Sequence, residues 1–289
     1  MAGAALIILA VLMLGLGLSL TVGDFRRVGR YRASIAAALV CQLVLLPLVC
    51  FGIVTALQLP PVSAMGMMLI AAVPGGPTAG IYSHLFGGDV AFNLTLTAIN
   101  SVLSVVTLPI VVGLSLRHFL GSRDGIGLQF GEVLKVVLIV LIPIVIGMVI
   151  RARAPGVAAR SERAYRIIAG SVLAGFVVFG VVSYAGTLVD AVTTVVPAAL
   201  LFGVASLGTG YLAGVLTRAG HRVSIAACME IGFHNGAMAI SIAIGVLGSL
   251  SMAVPPALYG LVILVLAGVV GFFVSRGGRR PAARERRAR

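Results

Sequence analysis

The sequence predicts an all-α polytopic membrane protein: nine transmembrane helices arranged as two inverted repeats, each with one broken helix. Three observations predict it. Of 289 residues, 60% are hydrophobic and only 10% charged, whereas a soluble domain carries about a quarter charged residues. Apolar runs near the roughly 20-residue length needed to span a bilayer recur from end to end. The basic residues are confined to alternate connections between those runs.

The spans are expected near 4–22, 33–55, 62–86, 89–116, 129–150, 165–188, 192–217, 222–247 and 253–275. The first resembles a signal peptide in length but has no basic segment before it. Its positive charge (Arg26, Arg27, Arg30, Arg32) follows it, which suits insertion with the N-terminus outside. Nine spans then place alternate connections inside. Those inside connections carry Arg26 to Arg32, Arg151 to Arg166, and Arg218 with Arg222; with the tail from Arg276 to Arg289 they hold 18 of the 21 basic residues. Outside connections hold Arg117 and Arg123, and Lys135 opens the fifth span. This is the asymmetry of the positive-inside rule, and it puts the C-terminus in the cytoplasm of a protein of the cell membrane. One membrane domain over 1–275 is expected, with repeats near 1–117 and 129–275. A basic tail over 276–289 is expected to be disordered.

The net charge of +13 does not mark a nucleic-acid binder, because the arginines lie between membrane spans and in the tail. Cys41, Cys50 and Cys228 lie inside apolar runs without metal or disulfide spacing, and read as small core residues.

The third span contains AAVPGGPTAG (71–80). Pro74 and Pro77 lack an N–H and the adjacent glycines add flexibility, so this helix should unwind near its middle. The eighth span is interrupted at Gly232 and Gly236, beside Glu230, His234 and Asn235, with unwinding expected at 230–233. Unwound backbone at membrane depth persists only within protein or against a watery cavity. In each quartet of helices flanking the fifth, the broken helix comes third, so the quartets cross the membrane in opposite senses. Paired broken helices in inverted halves are the pattern of a secondary transporter with its site near the midplane.

Of the eight acidic residues, Glu230 alone falls well inside a span; Asp89, Glu132 and Asp190 lie at or near helix ends. A carboxylate at that depth must be protonated, paired or bound to a cation. Pairing with His234, four residues on, is the structural alternative. On the fourth span Asn93, Thr97, Asn100, Ser101 and Ser104 form one helical stripe, which reads either as ligands or as helix–helix contacts. Gln42 on the second span carries the same two readings. Carboxylate, amide, hydroxyl and freed carbonyl oxygens suit a hard cation such as sodium. Helix N-termini at the breaks suit an anion, expected near Pro74, Gly75, Gly76, Thr78 and Asn235, with Asn100 on the fourth span.

In these residues the chain resembles the bile acid:sodium symporter family. The likeness is strongest over PGGPTAGIYSHLFGGDVAFNLTLTAINSVLSVVTLPI (74–110) and MEIGFHNGAMAISIAIGVLGSLSMAVPPALYG (229–260), with GLGLSLTVGDF (15–25) and Gln42 followed by Pro47. The resemblance implies a panel domain and a core domain in which the two broken helices cross. It also implies two sodium sites at the crossing and an organic anion, bile acid-like or a small carboxylate or keto acid, moved by alternating access. Carried over, Glu230 serves both sites, Asn93 and Thr97 the first, and Gln42 with the carbonyls of Ile231 and Phe233 the second. Three departures stand out. Ala79 and Gly80 occupy positions where the family has Ser and Asn donors, and His234 replaces a Gln in the second site.

Sodium-coupled symport is therefore the leading expectation, with the small-molecule anion, sodium and the lipid bilayer as partners and no cofactor. Proton-coupled or uncoupled export through Glu230 and His234 is the alternative. An intramembrane enzyme is a third reading, but no HExxH, paired Asp or GxSxG accompanies Glu230 and His234. An arsenite-type exporter lacks its thiol, since no cysteine falls in the first broken helix.

Overall fold

A computed structural model describes residues 31–121, 130–158 and 185–277, plus single positions elsewhere. The expected first span, most of the sixth and nearly all of the tail lie outside the described residues. The described structure is all helical, with one isolated β-bridge and no strand.

Helix α1 (Arg32–Ala56) contains a π turn at Cys41–Leu45, where the Leu46 N–H bonds to the Cys41 carbonyl five residues back. Pro47 follows directly. Its ring displaces the carbonyl four residues before it, and the widened turn accommodates that. The third expected span resolves into α2 (Pro61–Ala72) and α3 (Pro77–Leu85). Next come α4 (Val90–Leu120), α5 (Phe130–Arg153) and α6 (Ala185–Leu216). The eighth expected span resolves into α7 (His221–Gly232) and α8 (Gly236–Gly245), and α9 (Val254–Gly277) closes the bundle.

One sequence expectation holds and one is corrected. Asp190, expected near a helix end, lies in the second turn of α6, before the apolar stretch that begins at Val192. Nothing interrupts that helix before Pro197, whose missing bond a membrane helix tolerates. The unwinding expected at 230–233 falls at 233–235. Gly232 is the last helical residue of α7, and Asn235 starts α8 by accepting the Met238 N–H at 3.0 Å.

Among the described residues four helices are long and apolar enough to cross a membrane: Arg32–Ala56, Val90–Leu120, Val192–Leu216 and Ser251–Arg276. Their outward faces carry exposed apolar side chains at helical spacing: Val40, Val44 and Leu48 on α1, then Val106, Ile110 and Leu114 on α4. Water would not tolerate such belts, and lipid does. The chain is a multi-pass membrane protein.

The short half-helices sit inside this shell. Residues 64–72 of α2 and 223–232 of α7 are buried on every side. Helix α7 packs most extensively on α6 and also meets α3, α4 and α9. Gly210 and Gly214 permit the close approach of α6. A Cβ on the first would lie 2.6 Å from the Ala227 carbonyl oxygen, and one on the second would strike Ser224. Glycines four apart are a recurrent device for bringing membrane helices into contact.

At one end of the bundle Asp89 joins three elements. Its side chain accepts from the Phe92 N–H at 3.1 Å, capping α4, and from the Tyr31 hydroxyl at 2.7 Å. Its own N–H bonds to the Arg222 carbonyl at 2.9 Å. Burial pushes the Asp89 carboxyl up. The Tyr31 hydroxyl, the Phe92 and Ala91 N–H groups and the Arg222 charge outweigh that, and hold it below its ordinary value. A depressed folded-state pKa contributes stability that is present above the unfolded value and is lost as pH falls through the folded one. Asp89→Ala is therefore expected to cost about 1 kcal/mol at neutral pH, as for other lost caps. Thermal melts of both proteins should converge toward low pH.

Candidate functional site

The two breaks cross and pair. The Gly76 N–H bonds to the Phe233 carbonyl at 3.2 Å and the Asn235 N–H to the Pro74 carbonyl at 2.9 Å. Gly75 and His234 are thereby held opposite each other as an antiparallel bridge. The extended segments satisfy each other's backbone groups, which is how unwound chain survives at membrane depth. The N-termini of α3 and α8 and the C-termini of α2 and α7 all meet at this crossing.

Glu230 stands in the last turn of α7 with no exposed surface. Neither carboxylate oxygen has a hydrogen-bond partner. The carboxylate fills the space beside Gly75: a Cβ there would overlap Oε1 and lie 2.6 Å from Cδ. Asn93 and Thr97 are the polar side chains that face it, though neither reaches hydrogen-bond geometry. Thr97 uses its one hydrogen elsewhere, and Asn93 uses one of its two amide N–H groups. The Thr97 hydroxyl donates to the Asn93 carbonyl at 3.0 Å, and the Asn93 amide donates to the Ala226 carbonyl at 3.4 Å. Each also brings a side-chain oxygen that could join the Glu230 carboxylate around a cation. The Asn93 Oδ1 would lie 3.4 Å from a Cβ on Gly80, so the side chain that Gly80 lacks leaves room for this amide.

The remaining sequence-predicted residues fall into two groups. Ile231 is buried in α7, and the Phe233 carbonyl already accepts the Gly76 N–H. Pro74, Gly75, Gly76 and Asn235 are buried in the crossing, and Thr78 is half-buried in the first turn of α3. Gln42 and Asn100 are buried away from any hydrogen bond at either amide atom. Gln42 sits in the π turn of α1, which packs on α6. Such turns recur at functional positions. On α4, Ser101 and Ser104 donate back to the carbonyls of Thr97 and Ser101. These hydroxyls do not tie helices together; of the stripe, Asn93 makes the bond to another helix.

The alternative of a Glu230–His234 contact is not made. The helix ends between the two residues, and no hydrogen bond or ion pair joins them. His234 Nδ1 instead faces the Gly232 carbonyl at 3.3 Å and the Tyr259 hydroxyl at 3.2 Å. Tyr259 was not among the residues singled out from sequence. The signal for it was a tyrosine at depth, whose hydroxyl must find a partner when buried.

Buried polar groups in folded proteins are almost always bonded, so this concentration of unbonded ones requires an explanation. Around Glu230 oxygen acceptors predominate: the carboxylate itself, an amide oxygen and a hydroxyl oxygen whose hydrogen is used, with one Asn93 amide N–H left over. A cluster richer in acceptors than donors is completed by positive charge. Among the described residues no group of three His, Cys, Asp or Glu side chains is placed to hold a metal ion. One carboxylate with neutral oxygens fits a weakly held hard cation instead.

Residues 6–192 match the family model for the Sodium Bile acid symporter family. The chain is 31% identical over 114 residues to the uncharacterized sodium-dependent transporter YocS of Bacillus subtilis, covering 39% of this chain and 36% of that protein. It is 30% identical over 120 residues to the probable sodium/metabolite cotransporter BASS1, chloroplastic, of Arabidopsis thaliana, covering 42% and 30%. Against sodium/bile acid cotransporter 4 of Mus musculus it is 27% identical over 258 residues, covering 87% and 56%. The matches to the first two span about a third of the relatives' own length.

Proposed function

The chain belongs to the Sodium Bile acid symporter family, a family of transporters and not of enzymes, and on that premise we propose that it moves an organic anion by sodium-coupled symport. The observation that carries this reading is the buried Glu230 carboxylate, which has no partner and faces oxygen lone pairs at the crossing of two broken helices. Sodium bound there neutralises Glu230. The neutralised site then leaves the N-terminal partial charges of α3 and α8 free to attract an anion. Cation and anion favour each other's binding, and that coupling is what a symporter needs.

In this reading Glu230, Asn93 and Thr97 hold one sodium ion. Gln42, His234 and the carbonyls of Ile231 and Phe233 hold a second, with Glu230 serving both. The anion, a bile acid-like molecule or a small carboxylate or keto acid, lies against Pro74, Gly75, Gly76, Thr78, Asn100 and Asn235. Nine spans in inverted repeats near 1–117 and 129–275 rock between inward- and outward-open states. The N-terminus is outside, and the basic C-terminal tail is in the cytoplasm of the cell membrane. A cavity of about 700 Å³ lies at the Asp89 end of the bundle, lined by Arg32, Arg218 and Arg222 among others. In this reading the arginines there mark the cytoplasmic end, as the positive-inside rule expects.

The reading is tested in proteoliposomes with a panel of labelled organic anions. An inward sodium gradient is expected to drive accumulation above equilibrium. Accumulation driven equally by a proton gradient without sodium would overturn the sodium assignment. Asn93→Ala removes one neutral oxygen and is expected to raise the sodium concentration for half-maximal uptake roughly tenfold, equivalent to about 1.4 kcal/mol.

A further inference from the structure

Tyr259 is wholly buried in α9, and its hydroxyl donates to the Gly232 carbonyl at 2.7 Å. Nδ1 of His234 faces that hydroxyl oxygen at 3.2 Å and the same carbonyl at 3.3 Å. A carbonyl only accepts, and the Tyr259 hydrogen is already directed at it. Both groups facing Nδ1 are therefore acceptors, so Nδ1 carries the ring hydrogen and Nε2 the bare lone pair. Phe202 lies against both rings, with centroid separations of 5.2 Å to His234 and 5.5 Å to Tyr259, and fixes the imidazole plane. His234 is 6% exposed, and its Nε2 has no partner.

The geometry of the crossing says what Nε2 is for. Gly75 and His234 are directly opposite in the bridge, and such pairs project from one face with their Cβ positions about 5 Å apart. The position a Gly75 Cβ would take is filled by the Glu230 carboxylate. Carboxylate and imidazole therefore leave the crossing on the same side. A carboxylate oxygen and a bare ring nitrogen cannot bond to each other without a proton or a cation between them. Positive charge would satisfy both.

We propose that Tyr259 is a positioning residue. It holds His234 as the Nδ1–H tautomer, so that a bare Nε2 lone pair, and not an N–H, is turned toward the cation held by Glu230. This rests on the crossing being a cation site, and it explains how an imidazole serves there: an N–H pointing inward would repel the ion. The Tyr259 hydroxyl oxygen at 3.2 Å adds a second acceptor beside the Gly232 carbonyl at 3.3 Å, and the pair favours the hydrogen on Nδ1 more than the carbonyl alone would.

Nitrogen-15 NMR of histidine-labelled protein in nanodiscs reads the tautomer directly. The chain has four histidines, and His234→Gln assigns the signal. His234 is expected in the Nδ1–H form, with its Nε2 resonance moving on addition of sodium chloride and not of choline chloride. Tyr259→Phe is expected to populate the Nε2–H form and to weaken sodium about tenfold in a thermal-shift titration. In the His234→Gln background, where an amide oxygen is available without help, the same Tyr259→Phe change should move sodium affinity less than twofold. An Nε2–H ring in the unaltered protein overturns the proposal, and so does an equal loss of sodium affinity in both backgrounds. Absence of any sodium response in the unaltered protein, with the Nδ1–H ring intact, would instead fail the symport reading and leave the Tyr259–His234 geometry standing.

Discussion

Glu230→Gln is expected to abolish sodium-driven uptake, by at least about 100-fold, while making the sodium-free protein more resistant to heat. The two effects have one cause. A buried charge without a partner costs several kcal/mol, and Glu230 has no bonded partner within the protein. Glutamine keeps the shape without a group that must be buried charged or held protonated, so the sodium-free protein loses a penalty. The sodium-bound protein loses its ligand. For the unaltered chain, sodium at one hundred times its dissociation constant adds about 2.7 kcal/mol of stability. For a domain of this size that corresponds to a melting shift of about 5–10 °C. The Glu230→Gln protein should show no such shift and should melt at or above the sodium-free value of its parent. A normal sodium-dependent shift in that variant would remove Glu230 from the site. Size-exclusion profiles of both proteins separate loss of binding from loss of fold.

Glu230 was legible in sequence because the economics of a carboxylate at depth are severe and independent of tertiary detail. The two breaks were legible for a similar reason: Pro74, Pro77 and the glycines beside them act on the local backbone. What those breaks do to each other was not legible. Pairing of Gly75 with His234 depends on two distant segments crossing at one depth, and no local pattern encodes that. The eighth-span break falls at 233–235 and not at 230–233, because Gly232 is still helical. In the folded chain Gly232 is the last residue of α7 and lets α6 lie close; a Cβ there would collide with Leu207. The stripe on α4 was visible as a stripe, but helical periodicity cannot tell a hydroxyl that reaches across from one that folds back, as those of Ser101 and Ser104 do. The widened turn that aims Gln42 was also hidden, although Pro47, which sets it off, was in plain view.

Gly75 and Gly76 look interchangeable in sequence, and the structure separates them. Neither has a positive φ, so conformational freedom is not what either supplies. Gly76 is extended, at φ −113° and ψ 169°, which alanine adopts easily. A Cβ there would meet Asn235 Cα at 3.5 Å and Cβ at 3.8 Å, ordinary contact distances. A Cβ on Gly75 would overlap the Glu230 carboxylate and stand 3.0 Å from the Glu230 carbonyl oxygen. Gly75→Ala is therefore expected to displace the carboxylate and weaken sodium at least about 30-fold, with a further stability cost of about 1–3 kcal/mol from overpacking. Gly76→Ala should leave sodium affinity within about threefold. Shortening the carboxylate offers a check that the collision is the cause. In Gly75→Ala/Glu230→Asp the missing methylene makes room for the new methyl group, so the double variant should bind sodium better than Gly75→Ala alone. Equal sensitivity of the two glycines, or no recovery in the double variant, would mean that Gly75 serves the backbone crossing itself and not the space that Glu230 occupies.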